Sequence, residues 1–155
     1  MSRVFVRPLP PLSSLHRRFG PGDFLDCYAV QSSLAARPAA EIIAAFPGWA
    51  RALVAVRRVL TAPLGLKNSL PDGTEDAVGV FPVEKDSETE VLAGFNDKHL
   101  DFRVSVVSDD GLVHLATWAR PHNAAGRIYL RTIMPFHVAI ARNALARVAA
   151  AGQTA

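Results

Sequence analysis

The 155-residue chain has a single cysteine, Cys27, so no internal disulfide can staple it, and an oxidising compartment gains no support. It has no window of 18 uncharged apolar residues, which excludes a membrane-spanning helix. Arg3 and Arg7 are followed by Pro8, Pro10 and Pro11 rather than by an apolar run, so no signal peptide is read and a cytoplasmic location is expected. The phosphate loop G-x-x-x-x-G-K-[ST], the dinucleotide fingerprint G-x-G-x-x-G, the nucleophile elbow G-x-S-x-G, C-x-x-C and H-E-x-x-H are all missing. Acidic residues are missing from one whole stretch: residues 111–155 hold five arginines and no carboxylate side chain.

What is present describes one ordinary domain. Half the residues are hydrophobic, 20% are charged and the mean hydropathy is +0.17, which excludes a disordered chain, a collagen and a disulfide scaffold. A chain of this length buries roughly 70% of the surface its unfolded form exposes, enough for a real core. The charge is segregated. Residues 1–70 carry nine Lys/Arg against three Asp/Glu, and residues 71–110 carry three against eleven. Basic and acidic segments are therefore expected side by side in one sheet, where opposite-charge pairs contribute about 0.2–1 kcal/mol each and help set register. The pI near 9.5 raises nucleic acid as a partner. Fourteen of the seventeen cations are arginines, scattered singly apart from Arg17-Arg18 and Arg57-Arg58, with no interleaved aromatics. Nucleic acid is excluded on that pattern.

Residues 1–20 read as an extended or mobile arm, and residues 21–152 as a single domain. Phe24–Val30 is a strand candidate. Pro38 suits the first turn of a helix that Pro47-Gly48 ends. A second helix is expected from Trp49 to Leu64, with Trp49, Leu53, Val56, Leu60 and Leu64 on one face and Gly65 as its cap. Pro71-Asp72-Gly73-Thr74 is a turn by its chemistry. From Ala77 the period changes to two, which predicts strands at 78–84, 90–95, 100–107, 112–120 and 127–133. Asp109-Asp110-Gly111 closes one hairpin. Pro135 is expected to open a last helix from Phe136 to Ala151. Strands followed by one long helix predict an α+β domain: a curved antiparallel sheet of about six strands wrapped on a long C-terminal helix, with two short helices after the first strand.

Alternation sorts the sheet into two faces. Leu100, Phe102, Val104, Val106, Val113, Leu115, Thr117 and Ala119 share the inner face, joined by Thr132 from the expected last strand. The outer face collects His99, Asp101, Arg103, His114, Trp118, Arg127, Tyr129 and Arg131. A filled core explains the inner face plainly; the sharper reading is a ligand cavity between sheet and helix, lined by Phe102, Thr117, Thr132, His137 and Ile140. His137 is placed in the first turn of the last helix, where the macrodipole disfavours the imidazolium. A solvated surface explains the outer face plainly; the sharper reading is a docking surface built on Asp101, Arg103, Trp118, Tyr129 and Arg131. His99, Asp101 and His114 have no spacing that forces metal geometry, so no metal and no cofactor are expected. Cys27 reads as a buried inert thiol, and Glu84, Asp86, Glu88 and Glu90 as a solvated turn. No catalytic constellation emerges.

Val78-Gly79-Val80-Phe81-Pro82-Val83, then Gly94-Phe95-Asn96-Asp97-Lys98-His99-Leu100-Asp101-Phe102-Arg103, resemble the bacterial domain-of-unknown-function family 2867. Gly22-Asp23-Phe24-Leu25-Asp26, the helix ending Leu64-Gly65-Leu66, Gly126-Arg127-Ile128-Tyr129 and Pro135-Phe136-His137 extend the resemblance over residues 20–150. That family is similar to the helix-grip superfamily of pollen allergens, START lipid-transfer domains and polyketide cyclases. The resemblance implies a sheet curved around a C-terminal helix and, as in many relatives, an internal cavity; it implies no catalytic residue. The expected function is binding of a small lipophilic molecule between sheet and helix. The alternatives are a cyclase- or hydratase-like enzyme using His137 in the same cavity, and an interaction module, such as a homodimer, using the outer face.

Overall fold

The computed structural model describes residues 3–52, 63, 73–79 and 81–153. The elements follow the order β1 (Phe5–Val6), a 3-10 turn (Ser14–Arg17), β2 (Phe24–Gln31), α1 (Ala36–Ala44), β3 (Ala77–Val78), β4 (Phe81–Asp86), β5 (Glu90–Asn96), β6 (Leu100–Asp109), β7 (Leu112–Pro121) and α2 (Ala124–Gln153). Among the described residues seven strands form one antiparallel sheet in the order β1-β2-β7-β6-β5-β4-β3. Five strands in succession, β3 to β7, form a meander, and β7 lies beside β2. The fold is α+β, with α1 and α2 on one face of a curved sheet in a helix-grip-like arrangement.

The meander forms where the alternation is cleanest. β6 ends at Asp109 and β7 starts at Leu112, joined by Asp110-Gly111 with φ of 49° and 75°. Both positive angles match the tight hairpin that Asp-Gly favours. The expected strand 78–84 is divided into β3 and β4, with Gly79 at φ 58° between them. Gly94 is needed for a different reason. A Cβ there would lie 2.1 Å from the Phe102 carbonyl oxygen and 2.9 Å from Arg103 Cα. Its absence lets the Arg103 side chain cross β5 to reach β4.

Two expectations at the C-terminus are corrected. Residues 127–133 are not a strand, and Pro135 does not open the last helix. α2 begins at Ala124 and passes through Pro135. Asn123 starts it, accepting the Gly126 N–H on Oδ1 at 3.0 Å and the Arg127 N–H on its carbonyl at 3.1 Å. Gly126 fits because a Cβ there would lie 2.1 Å from the His99 carbonyl oxygen. Pro135 removes only the bond that Arg131 would receive, and eleven residues of helix before it with eighteen after it outweigh that loss. The second short helix begins at residue 48; beyond residue 52 its course, the Gly65 cap and most of the Pro71–Thr74 turn lie outside the described residues.

The main core lies between the sheet and the helices. Tyr28, Val30, Val91, Val106, Val113 and Leu115 meet Ala39 and Ile43 of α1 and Ala141, Ala144, Leu145 and Val148 of α2. Arg147 fastens the two helices: its Nη1 donates to the Ile42 and Ala45 carbonyls at 2.6 and 2.7 Å, at the C-terminal end of α1. A smaller core of Leu15, Cys27, Leu92, Ala116 and Trp118 occupies the other face. Residues 9–20 lie across that face, so the sheet is covered on both sides.

Candidate functional site

On the helix side, register aligns residues in rows across the sheet. Phe24, Ala119, Phe102 and Phe95 form one row. Asp26, Thr117, Val104, Ala93 and Val83 form the next. Phe81, Phe95 and Phe102 make a ring cluster with centroids 5.6–6.4 Å apart, and Phe46 adds its edge to Phe81. Ala119 stands between Phe24 and Phe102, so the first row has two aromatic walls and a low floor.

α2 covers these rows unevenly. One helical stripe runs through Leu130, Met134, His137, Ala141, Ala144, Leu145 and Val148. From Ala141 onward its members are buried, whereas Leu130, Ile133, Met134, His137 and Val138 are only half-buried. The helix is closed on the sheet at its C-terminal half and open at the end where the phenylalanine row and Asp26 lie.

His137 sits at that mouth. Its Nε2 is 2.9 Å from Asp26 Oδ2, and the side chains of both are 18% exposed. The ring meets Phe24 edge-on at a centroid distance of 6.0 Å. Asp26 Oδ2 accepts the Nε2 proton, which leaves His137 Nδ1 with no hydrogen bond among the described residues. Asp26 Oδ1 is buried and also has no partner among them. Thr117 stands opposite Asp26 in register and is buried. A polar corner of Asp26, Thr117 and His137 thus borders an apolar trough.

Of the residues singled out as cavity-lining, Phe102, Thr117 and His137 come together here, with half-buried Ile140 one turn beyond His137. Thr132 does not join them. It is exposed on α2 and donates its hydroxyl to the Ile128 carbonyl at 2.8 Å. His137 lies mid-helix rather than in a first turn, so its environment is set by Asp26 and Phe24, not by a helix terminus. Asp26 escaped notice, although a signal exists: it is the one charged residue in the alternating set Phe24, Asp26, Tyr28, Val30.

The outer-face candidates are placed differently. Trp118 is 2% exposed and covered by Leu15 of the chain's own arm, and Arg103 is buried with its Nε on Glu84. Tyr129 and Arg131 are not on the sheet at all; they lie on α2. Asp101 accepts from His122 Nε2 at 2.9 Å, and Asn123 donates to His99 Nδ1 at 3.0 Å. Burial, then the Asp26 charge, push the Cys27 thiol up to about 12, so it supplies no thiolate. Glu90 is not part of a solvated turn: it is fully buried beneath the arm.

A family model described as a protein of unknown function (DUF2867) matches residues 18–144. The chain belongs to that family. Phe24, Asp26, Phe102, Thr117, Ala119 and His137 all fall inside the DUF2867 match, whereas Ser14 and Arg17 of the arm fall before it. No curated protein and no solved structure matches the chain. Among the described residues no helix is long and apolar enough to cross a membrane.

Proposed function

We propose that this protein binds a small, mainly apolar molecule at the open mouth between α2 and the sheet, gripping it by one polar group. The observation that carries this reading is Asp26 Oδ1, a buried acceptor with no partner among the described residues, beside the rings of Phe24 and His137. A buried acceptor left unpaired costs about 1–3 kcal/mol, which a ligand's O–H or N–H would recover. Pockets of this kind bury most of a ligand on apolar walls and orient it with few polar groups. The resemblance to helix-grip proteins supports the same location.

A neutral fluorophore with one N–H, N-phenyl-1-naphthylamine, tests the reading. One probe per chain is expected to bind saturably with enhanced fluorescence. Asp26→Val is expected to weaken binding at least tenfold, about 1.4 kcal/mol, and Arg17→Gln on the opposite face to leave it unchanged. Failure to saturate, or equal affinity in the Asp26 variant, contradicts the proposal.

One observation favours an enzyme as the second reading. A carboxylate that fixes one imidazole nitrogen and leaves the other bare is the arrangement of a general base. Under this reading His137→Ala abolishes turnover of the bound molecule a hundredfold or more while binding survives.

A further inference from the structure

A second recess lies on the opposite face, between the arm and the sheet. Ser14, Arg17, Arg18, Glu84, Lys85, Leu92 and Arg120 line about 540 Å³. Its cations come from three separate elements: Arg17 and Arg18 from the arm, Lys85 from β4 and Arg120 from β7. A register shift between Val83 and Lys85 puts a bulge in β4, and Glu84 and Lys85 both line the recess.

The guanidiniums are held in place before any ligand arrives. Arg18 and Arg120 both stack on Trp118, at 5.6 and 5.2 Å from the ring centroid. Asp23 clamps Arg120 through Nε and Nη2, both at 2.9 Å. Glu84 receives Arg18 Nη2 at 3.0 Å and Arg103 Nε at 3.4 Å, so one oxyanion of the protein is already seated between two guanidiniums.

The donors are not exhausted. Arg17 is exposed and makes no hydrogen bond or ion pair among the described residues. Arg18 uses only Nη2, Arg120 only Nε and Nη2, and the Lys85 ammonium gives two of its three protons, to Ser14 and Glu90. Around the recess Arg17, Arg18, Lys85, Arg103 and Arg120 outnumber Asp23, Glu84 and Glu90. Asp101, across from Arg120 in register, is engaged by His122.

We infer that this recess is an anion site for a small molecule bearing a phosphate group. A terminal phosphate offers three oxygens to cations arriving from three directions, whereas a carboxylate offers two in one plane. The volume exceeds that of a phosphate ion and falls within the range of metabolite pockets, leaving room for an organic remainder against Leu92. The site is independent of the helix-side mouth, since the sheet separates them.

Inorganic phosphate is the probe, titrated into the full-length ¹⁵N-labelled protein with sodium chloride lowered to hold ionic strength constant. Saturable shifts are expected at the amides of Ser14, Arg17, Arg18, Lys85 and Arg120, with half-saturation near or below about 1 mM. Arg17→Gln, which breaks no hydrogen bond or ion pair among the described residues, is expected to weaken binding about fivefold, and Arg17→Gln with Arg18→Gln at least tenfold. Linear shifts spread over Arg127, Arg131 and Arg142 would overturn the site. Unchanged affinity in the double variant would do the same, and acetate binding as tightly as phosphate would overturn the choice of ligand.

Discussion

Replacing Glu90 with alanine is expected to cost about 3 kcal/mol of stability, read as an earlier midpoint in urea. Glu90 is completely buried, yet its carboxylate has four partners. Ser14 donates both its N–H and its hydroxyl, Ser105 donates at 2.6 Å, and Lys85 completes the set at 3.1 Å. Alanine would leave the Ser14 N–H and the Ser105 hydroxyl without the acceptor, and the arm without its anchor. Burial by itself would raise the Glu90 pKa, but the donors from Ser105, Ser14 and Lys85 outweigh it and hold the carboxyl below its ordinary value. The unfolded chain therefore binds the proton first, so this stability is complete above the ordinary glutamate value and is lost as pH falls through the folded one. His114 acts earlier. Burial, then the charge of Arg7, keep its imidazole below the ordinary value, and its Nδ1 is buried with no partner among the described residues. Stability is then expected to decline from roughly pH 6.5 downward, and His114→Phe to flatten that first slope. A protein with unaltered stability in the Glu90 variant would show that the arm is not latched there.

Trp118→Ala is expected to cost roughly 3–5 kcal/mol, the range for emptying a buried aromatic site. The indole packs with Leu15, Cys27, Leu92 and Ala116, donates Nε1–H to Asp23 at 2.8 Å and has the guanidiniums of Arg18 and Arg120 against its ring. Its removal takes away that packing, one of the three donors to Asp23 Oδ2 and the ring against which Arg18 and Arg120 rest. On the reading of Trp118 as an exposed docking residue, the same change would disturb association and leave stability within about 0.5 kcal/mol. Urea unfolding monitored by circular dichroism separates the two. A loss below 1 kcal/mol would contradict the packed outer face.

These two residues also show where sequence reasoning stops. Alternation placed Trp118 and Arg103 on the same face of β7 and β6, and that sorting agrees with the register. Alternation cannot say what covers a face. The arm's contacts join Ser13 to Ser105 and Ser14 to Glu90 across more than seventy residues of chain, and no local pattern encodes them. Residues 127–133 failed for another reason. Seven residues with alternating apolar groups at Ile128 and Leu130 fit a strand as well as the start of a helix. The deciding signals were Asn123 as a cap and Gly126 beneath His99, which read equally well as a turn. On the helix side, His137 was legible as a polar point on an apolar stripe. Its partner was not, because pairing Asp26 with His137 needs the docking of α2 over β2.

On the proposed function, the mouth of α2 over Phe24, Asp26 and Thr117 holds a small apolar molecule. Mass spectrometry of the freshly purified chain, first under native and then under denaturing conditions, addresses it most directly. One bound molecule per chain is expected, released on denaturation and absent from the Asp26→Val protein. A native spectrum identical for both proteins, with nothing released from either after incubation with excess apolar probe, would contradict it.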